Sequence, residues 1–180
     1  SIVAYFLGDS SSHDHGRFSL NPIKHVDPLT TIALPLVLLL AGGQPFAAAK
    51  PVQINSGSLK WREVGMAMVA AAGPLSNLAM ALIFSFAFNT IVTDSELTNK
   101  ILLYAIQINV GLGLFNLIPF PPLDGSRVLY AIAPDWLRGI MDRIESLGFT
   151  AIIFFMFILY PFIDSSLLSA NRWVLNLFLS

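Results

Sequence analysis

Residues 64–92 form an apolar run long enough to cross a bilayer with some tilt, and no other feature narrows the fold as much. Buried in hydrocarbon, a backbone must satisfy its own N–H and C=O groups, which a helix does. Trp61-Arg62-Glu63, just ahead of the run, mark a membrane interface. Inside the run Gly73-Pro74 interrupts regular hydrogen bonding, and Asn77 follows on the next turn. Two readings stand side by side. Asn77, with Ser76, re-satisfies the broken backbone or joins helices, or it turns its amide toward a reacting carbonyl or a bound water.

Composition extends this reading to the whole chain. Of the 180 residues 55% are hydrophobic and 12% charged, where a soluble domain carries roughly a quarter charged. The sequence is that of a membrane protein. A net charge of −1, with basic residues scattered in the gaps between apolar runs, gives no reason to expect nucleic acid as a partner. With no cysteine, these residues make no disulfide and no thiolate chemistry. The expected fold is all-α: a polytopic transmembrane helix bundle with a short strand or re-entrant segment. Residues 1–180 read as a single membrane-embedded domain, and the lipid bilayer is its expected surroundings.

A second stretch carries the chemistry. Residues 116–125 read N-L-I-P-F-P-P-L-D-G. Pro119, Pro121 and Pro122 donate no backbone hydrogen bond, so a helix over residues 101–118 should end there and continue as extended chain. Asp124-Gly125 should then turn the chain, with a new apolar helix from Ser126 to Ala133. That leaves a carboxylate at the lip of the membrane-buried region. An ionisable group there is costly unless a metal, a cation or water meets it. The plainer alternative is an interfacial turn with Asp124 facing water.

The remaining segments are read in order. Residues 1–7 look like the last turns of a helix stopped at Gly8. Residues 9–28 read as polar loop and hold all three histidines. His13 and His15 flank Asp14 in a solvated loop, while His25 and Asp27 sit between Pro22 and Pro28, where a pair would pin the turn. The apolar run 29–41, interrupted by Pro35, is short for a span and either re-enters or extends toward residue 49. Residues 50–55 alternate like a short strand, either a connector or an edge able to pair with an extended peptide. Thr93-Asp94-Ser95-Glu96 fits a capping box, with Asn109, Gly113 and Asn116 on one side of the helix that follows. Residues 135–147 should lie amphipathically at the membrane surface, residues 148–160 should span, and Pro161 should stop them. If the three spans cross, Lys50, Lys60, Arg62, Arg127, Arg138 and Arg143 share one side, cytoplasmic by the positive-inside rule, with Lys100 and Arg172 opposite.

Five pieces, ordered along nearly the whole chain, resemble the site-2 protease family of intramembrane zinc metalloproteases, in its compact bacterial type without PDZ or CBS domains. They are A-Y-F-L-G-D at 4–9, G-R-F-S-L-N-P-I-K-H-V-D-P at 16–28, A-K-P-V-Q-I-N at 49–55, G-P-L-S-N at 73–77 and N-L-I-P-F-P-P-L-D-G at 116–125. The resemblance implies zinc as cofactor, with Asp124 as a metal ligand and Asn77 beside the active site as a catalytic residue. It implies Gln53 and Asn55 as substrate-binding residues and Gly73, Pro74, Asn116, Pro119 and Gly125 as supporting ones.

The implied partners are membrane-spanning protein or peptide substrates, and the implied location is the bacterial cytoplasmic (inner) membrane with the active site toward the cytoplasm. The family's H-E-x-x-H motif, two zinc ligands and a general base, is absent from these residues. On the resemblance it lies directly before residues 1–9, so the chain reads as a fragment that would not hydrolyse peptides by itself. A non-catalytic scaffold of the same fold and a small transporter subunit using Asp124 are the rival readings, and the oligomeric state stays open.

Overall fold

A computed structural model describes residues 2–8, 59, 61–91 and 95–179. The expected polar loop, the segment 29–49, the strand at 50–55 and all three histidines lie outside those residues. By internal contacts the chain divides into Ser1–Gly65 and Met66–Ser180.

In the first unit, α1 (Ile2–Phe6) ends as its sequence indicates. Gly8 has a φ of 101°, the left-handed conformation that closes a helix, and its N–H donates to Tyr5 O at 3.0 Å.

The second unit is all-helical among its described residues. α2 (Arg62–Thr90), which begins in the first unit, runs straight through Gly73-Pro74. The expected break is therefore a local loss: Pro74 removes one N–H from the ladder while the helix continues around it. Ser76 Oγ donates to Gly73 O at 2.7 Å, so one hydroxyl is turned back on the backbone beside the proline.

α3 (Glu96–Asn116) is capped two residues later than the expected capping box. Ser95 is the N-cap, its Oγ accepting from Thr98 N at 3.3 Å, and Glu96 instead pairs with Lys100 one turn on. A hydroxyl on the residue next to the helix serves the exposed N–H groups better than one two residues upstream. α3 ends at Asn116, as the three prolines require.

Residues 117–123 are a series of tight turns, not extended chain: Phe120 N donates to Ile118 O at 2.8 Å and Leu123 N to Phe120 O at 2.8 Å. Asp124 does not sit in a turn but opens α4 (Asp124–Ile132). A carboxylate in a first turn is favoured by the partial positive charge of the exposed N–H groups. After Ala133-Pro134 comes α5 (Asp135–Ser146).

Gly148, with φ 55°, leads into α6 (Phe149–Phe154), a π-helical segment (Phe155–Leu159) and α7 (Tyr160–Leu179) without a gap. Pro161 does not stop this helix. The wider π turn just before it leaves the carbonyls out of step with an ordinary ladder, which relieves the clash a proline ring makes with the preceding turn. Arg172 consequently lies inside the last helix, not beyond a span.

The core explains how the helices are ordered. Ala81 of α2 and Ile106 and Val110 of α3 are fully buried together, covered by Phe84, Phe88, Leu114 and the α7 side chains Val174, Leu175 and Phe178. Nearer the proline turn, Gly113 of α3 meets Pro74 and Leu78 of α2: a Cβ there would stand 2.9 Å from Leu78 Cγ and 3.3 Å from Pro74 O. Ascending α2 against descending α3 makes the pair antiparallel, so the start of α2 and the end of α3 share one end. The expected small-residue stripe is therefore a close helix contact at Gly113.

Two helical stretches, Arg62–Thr90 and Thr150–Leu179, are long and apolar enough to cross a membrane, and little of either is buried within protein. α3 is not in that class; with Gln107, Asn109 and Asn116 it is more polar, and it packs against α7.

Candidate functional site

The site is built where two distant sequence pieces meet. Asp124 lies at the start of α4, and a Cβ added to Gly73 in α2 would stand 2.9 Å from Asp124 Oδ2 and 3.9 Å from its Cγ. The carboxylate therefore rests in the space that the absent side chain of Gly73 leaves. Gly73-Pro74 and Asp124-Gly125, half a hundred residues apart, form one locus.

Several supports hold Asp124 in that place. Gly125, on the next position, is buried against the end of α3. A Cβ there would come within 2.2 Å of Leu117 O and 2.6 Å of Ile118 O, closer than any side chain permits. Ser126 is also buried, with Oγ donating to Leu123 O at 2.7 Å. The turn between α3 and α4 is fixed from outside by aromatic rings. Phe120 stacks on Phe155 at 4.9 Å between centroids, and Phe155 meets Phe115 edge-on at 5.9 Å. Phe155 is buried and opens the π-helical segment, so the irregular helix turn sits directly beside the proline turn.

Electrostatics single out the same group. Asp124 is half-buried, and loss of solvent pushes its carboxyl above the usual carboxylate range, while Arg127 one turn later draws it back. A nearby cation favours the charged form of a carboxylate in such a place. Arg127 is itself shared with α5, where it pairs with Glu145. Arg138 of α5 completes the α4–α5 hairpin, donating to Tyr130 O at 3.1 Å and Ala131 O at 3.3 Å and lying 5.4 Å over the Tyr130 ring. These carbonyls belong to the last turn of α4, where a cation is well placed.

The other expected residues fall as follows. Asn77 is half-buried and four residues beyond Gly73, so it shares that face of α2 one turn farther along. Pro74 is fully buried on the neighbouring face against Gly113. Asn116 turns its amide to its own helix, Nδ2 donating to Leu112 O at 3.0 Å, as Asn109 does to Ala105 O at 2.8 Å. Pro119 is exposed in the turn. Gln53 and Asn55 lie outside the described residues. Arg127 and Phe155 were not foreseen as part of the site; the i, i+3 spacing of Asp124 and Arg127 was the available signal, whereas nothing in the sequence placed Phe155 beside Phe120.

As a zinc site the described residues supply one fitting ligand. Among them no group of three His, Cys, Asp or Glu side chains converges, and a catalytic zinc takes about three protein ligands. Asp124 suits one of those positions through its burial and the room left at Gly73.

Comparisons with known proteins identify the family. The family model for Peptidase family M50 matches residues 89–159, which include the turn and Asp124. The chain is 36% identical over 169 residues to the "Putative zinc metalloprotease YwhC" of Bacillus subtilis, covering 89% of this chain and 73% of that protein. It is 37% identical over 98 residues to the "Putative zinc metalloprotease MJ0611" of Methanocaldococcus jannaschii, covering 54% of this chain and 50% of that protein. To the "Putative zinc metalloprotease Rip2" of Mycolicibacterium smegmatis it is 24% identical over 181 residues, covering 98% of this chain and 64% of that protein. No solved structure matches it. By its similarity to YwhC along most of both chains, this chain belongs to peptidase family M50.

Proposed function

We propose that the chain is the membrane-embedded part of a zinc metalloprotease that hydrolyses peptide bonds in or near membrane-spanning segments. The observation that carries this reading is the approach of Asp124 to Gly73, which joins the Leu-Asp-Gly and Gly-Pro-x-x-Asn pieces into one site within an M50 chain. Residues 1–180 act in it as one peptidase domain, a multi-pass bundle in the bacterial cytoplasmic membrane with Asp124 toward the cytoplasm.

Asp124 would hold the zinc together with ligands of the H-E-x-x-H type, which is not among these 180 residues. Bound zinc supplies a Lewis acid that polarises a carbonyl and acidifies water. The chain's own residues do the positioning. Gly73 keeps the carboxylate against α2, Gly125 lets α4 begin against the end of α3, and Arg127 balances the carboxylate's charge. Asn77, one turn from Gly73, would direct its amide to the substrate carbonyl, as donors at developing oxyanions do. Gln53 and Asn55 would pair with the backbone of a substrate locally unwound into extended form.

The test is cleavage of a labelled membrane-spanning peptide by the native full-length protein in proteoliposomes. Fragments that vanish with a zinc chelator and in Asp124→Ala support the reading. Cleavage that survives Asp124→Ala removes Asp124 from the metal site.

A further inference from the structure

α5 leaves a row of large apolar side chains exposed. Its packed side is mixed: Met141 is buried, Arg138 holds the end of α4, Glu145 pairs with Arg127, and Asp142 Oδ2 accepts from Tyr130 Oη at 3.3 Å. On a helix, Trp136, Ile140 and Leu147 fall within about 40° of one another, and Arg138 and Glu145 lie about 140–180° away. Those three apolar side chains are 68%, 46% and 55% exposed. Ile132, at the end of α4, adds a fourth exposed apolar side chain.

We infer that this stripe is a lipid-docking surface: α5 lies along the bilayer interface with Trp136, Ile140 and Leu147 in the acyl boundary and its packed side latched to α4. Three observations choose lipid over other occupants. The stripe ends at Leu147, three residues before the membrane-spanning stretch Thr150–Leu179 begins, so it continues the apolar surface of that helix. A tryptophan and an arginine, Arg143, edge it, the residue types that sit at headgroup level with apolar stems inward. The helix carries Asp135, Asp142 and Glu145 against Arg138 and Arg143, so its attachment is apolar and does not require anionic lipid. Because α4 opens with Asp124 and is bound to α5 by Arg127 and Arg138, the docked helix also sets the depth of that carboxylate.

This rests on the membrane placement proposed above but not on catalysis; a protein that cuts nothing can still carry the stripe in lipid. These 180 residues contain no cysteine, so single cysteines can be placed at Trp136, Ile140 and Leu147, and at Gly139 and Ser146 on the exposed flank. Gly139 has open space where a Cβ would go. The variants of the full chain are spin-labelled in phosphatidylcholine vesicles, and collisions with oxygen are compared with those of a water-soluble nickel chelate. Oxygen should exceed nickel at 136, 140 and 147, and the order should invert at 139 and 146.

Nickel exceeding oxygen at all five positions would overturn the inference, as would the stripe being shielded from both. Spin–spin broadening there that grows with protein density would assign the stripe to a second copy instead. A second measurement leaves the stripe intact: with Trp61 and Trp173 replaced by Phe, Trp136 fluorescence should be quenched by brominated lipid. Quenching by aqueous iodide in its place contradicts the docking.

Discussion

Asp124 Oδ2 lies 2.9 Å from the point where a side chain on Gly73 would begin. Two consequences follow from that one approach. A side chain at position 73 would displace the Asp124 carboxylate rather than the α4 backbone, and the carboxylate is held against a helix backbone that Pro74 has already deprived of one hydrogen bond.

Gly73→Ala should separate geometry from stability. Within a helix, alanine is favoured over glycine by roughly 0.5–1 kcal/mol, so the folded protein should be as stable or slightly more so. The displaced Asp124 should bind zinc roughly 10–100-fold more weakly, the range seen when the setting of a ligand is disturbed. Thermal unfolding in detergent and zinc titration on one preparation check both halves.

Gly125→Ala should act on the fold instead. Its Cβ would meet the Leu117 carbonyl, a backbone group that cannot swing aside. A loss of at least about 1–3 kcal/mol is expected, measured by denaturant unfolding in micelles, with the α3–α4 turn exchanging its amide hydrogens faster.

Much of this was legible in the sequence, and the misses have physical causes. Proline and glycine punctuation located the end of α3 and the end of α1, because those residues act through local sterics. Asp124 could be singled out because a carboxylate behind an apolar span is costly. What Gly125 faces could not be read, since the obstacle is a carbonyl of a different helix end. Pro161 reads as a stop, and only the π turn at Phe155–Leu159 shows why it is not. Asn109 and Asn116 share a stripe with Gly113, yet their amides bond their own helix. The antiparallel contact at Gly113 is what places Gly73 near Asp124.

Asn77→Ala should leave metal binding intact while lowering turnover. Loss of one donor to a developing oxyanion costs about 100- to 1,000-fold in kcat. Turnover and zinc content determined together distinguish this from a structural role, which would lower both.

Arg138→Ala should loosen α5 from α4 by removing two bonds to the last carbonyls of α4 and the contact with Tyr130. Hydrogen bonds to charged groups contribute about 1.5–3 kcal/mol each, reduced here by partial exposure. Hydrogen exchange should rise in residues 124–146 and stay unchanged in the Ala81–Ile106–Val110 core.

The most direct measurement is the zinc content of the native full-length protein beside its Asp124→Ala variant, both purified without chelators. The account predicts about one zinc per chain in the native protein, as for a catalytic site, lost or greatly weakened in the variant. No zinc in the native protein, or equal zinc in both, would contradict it.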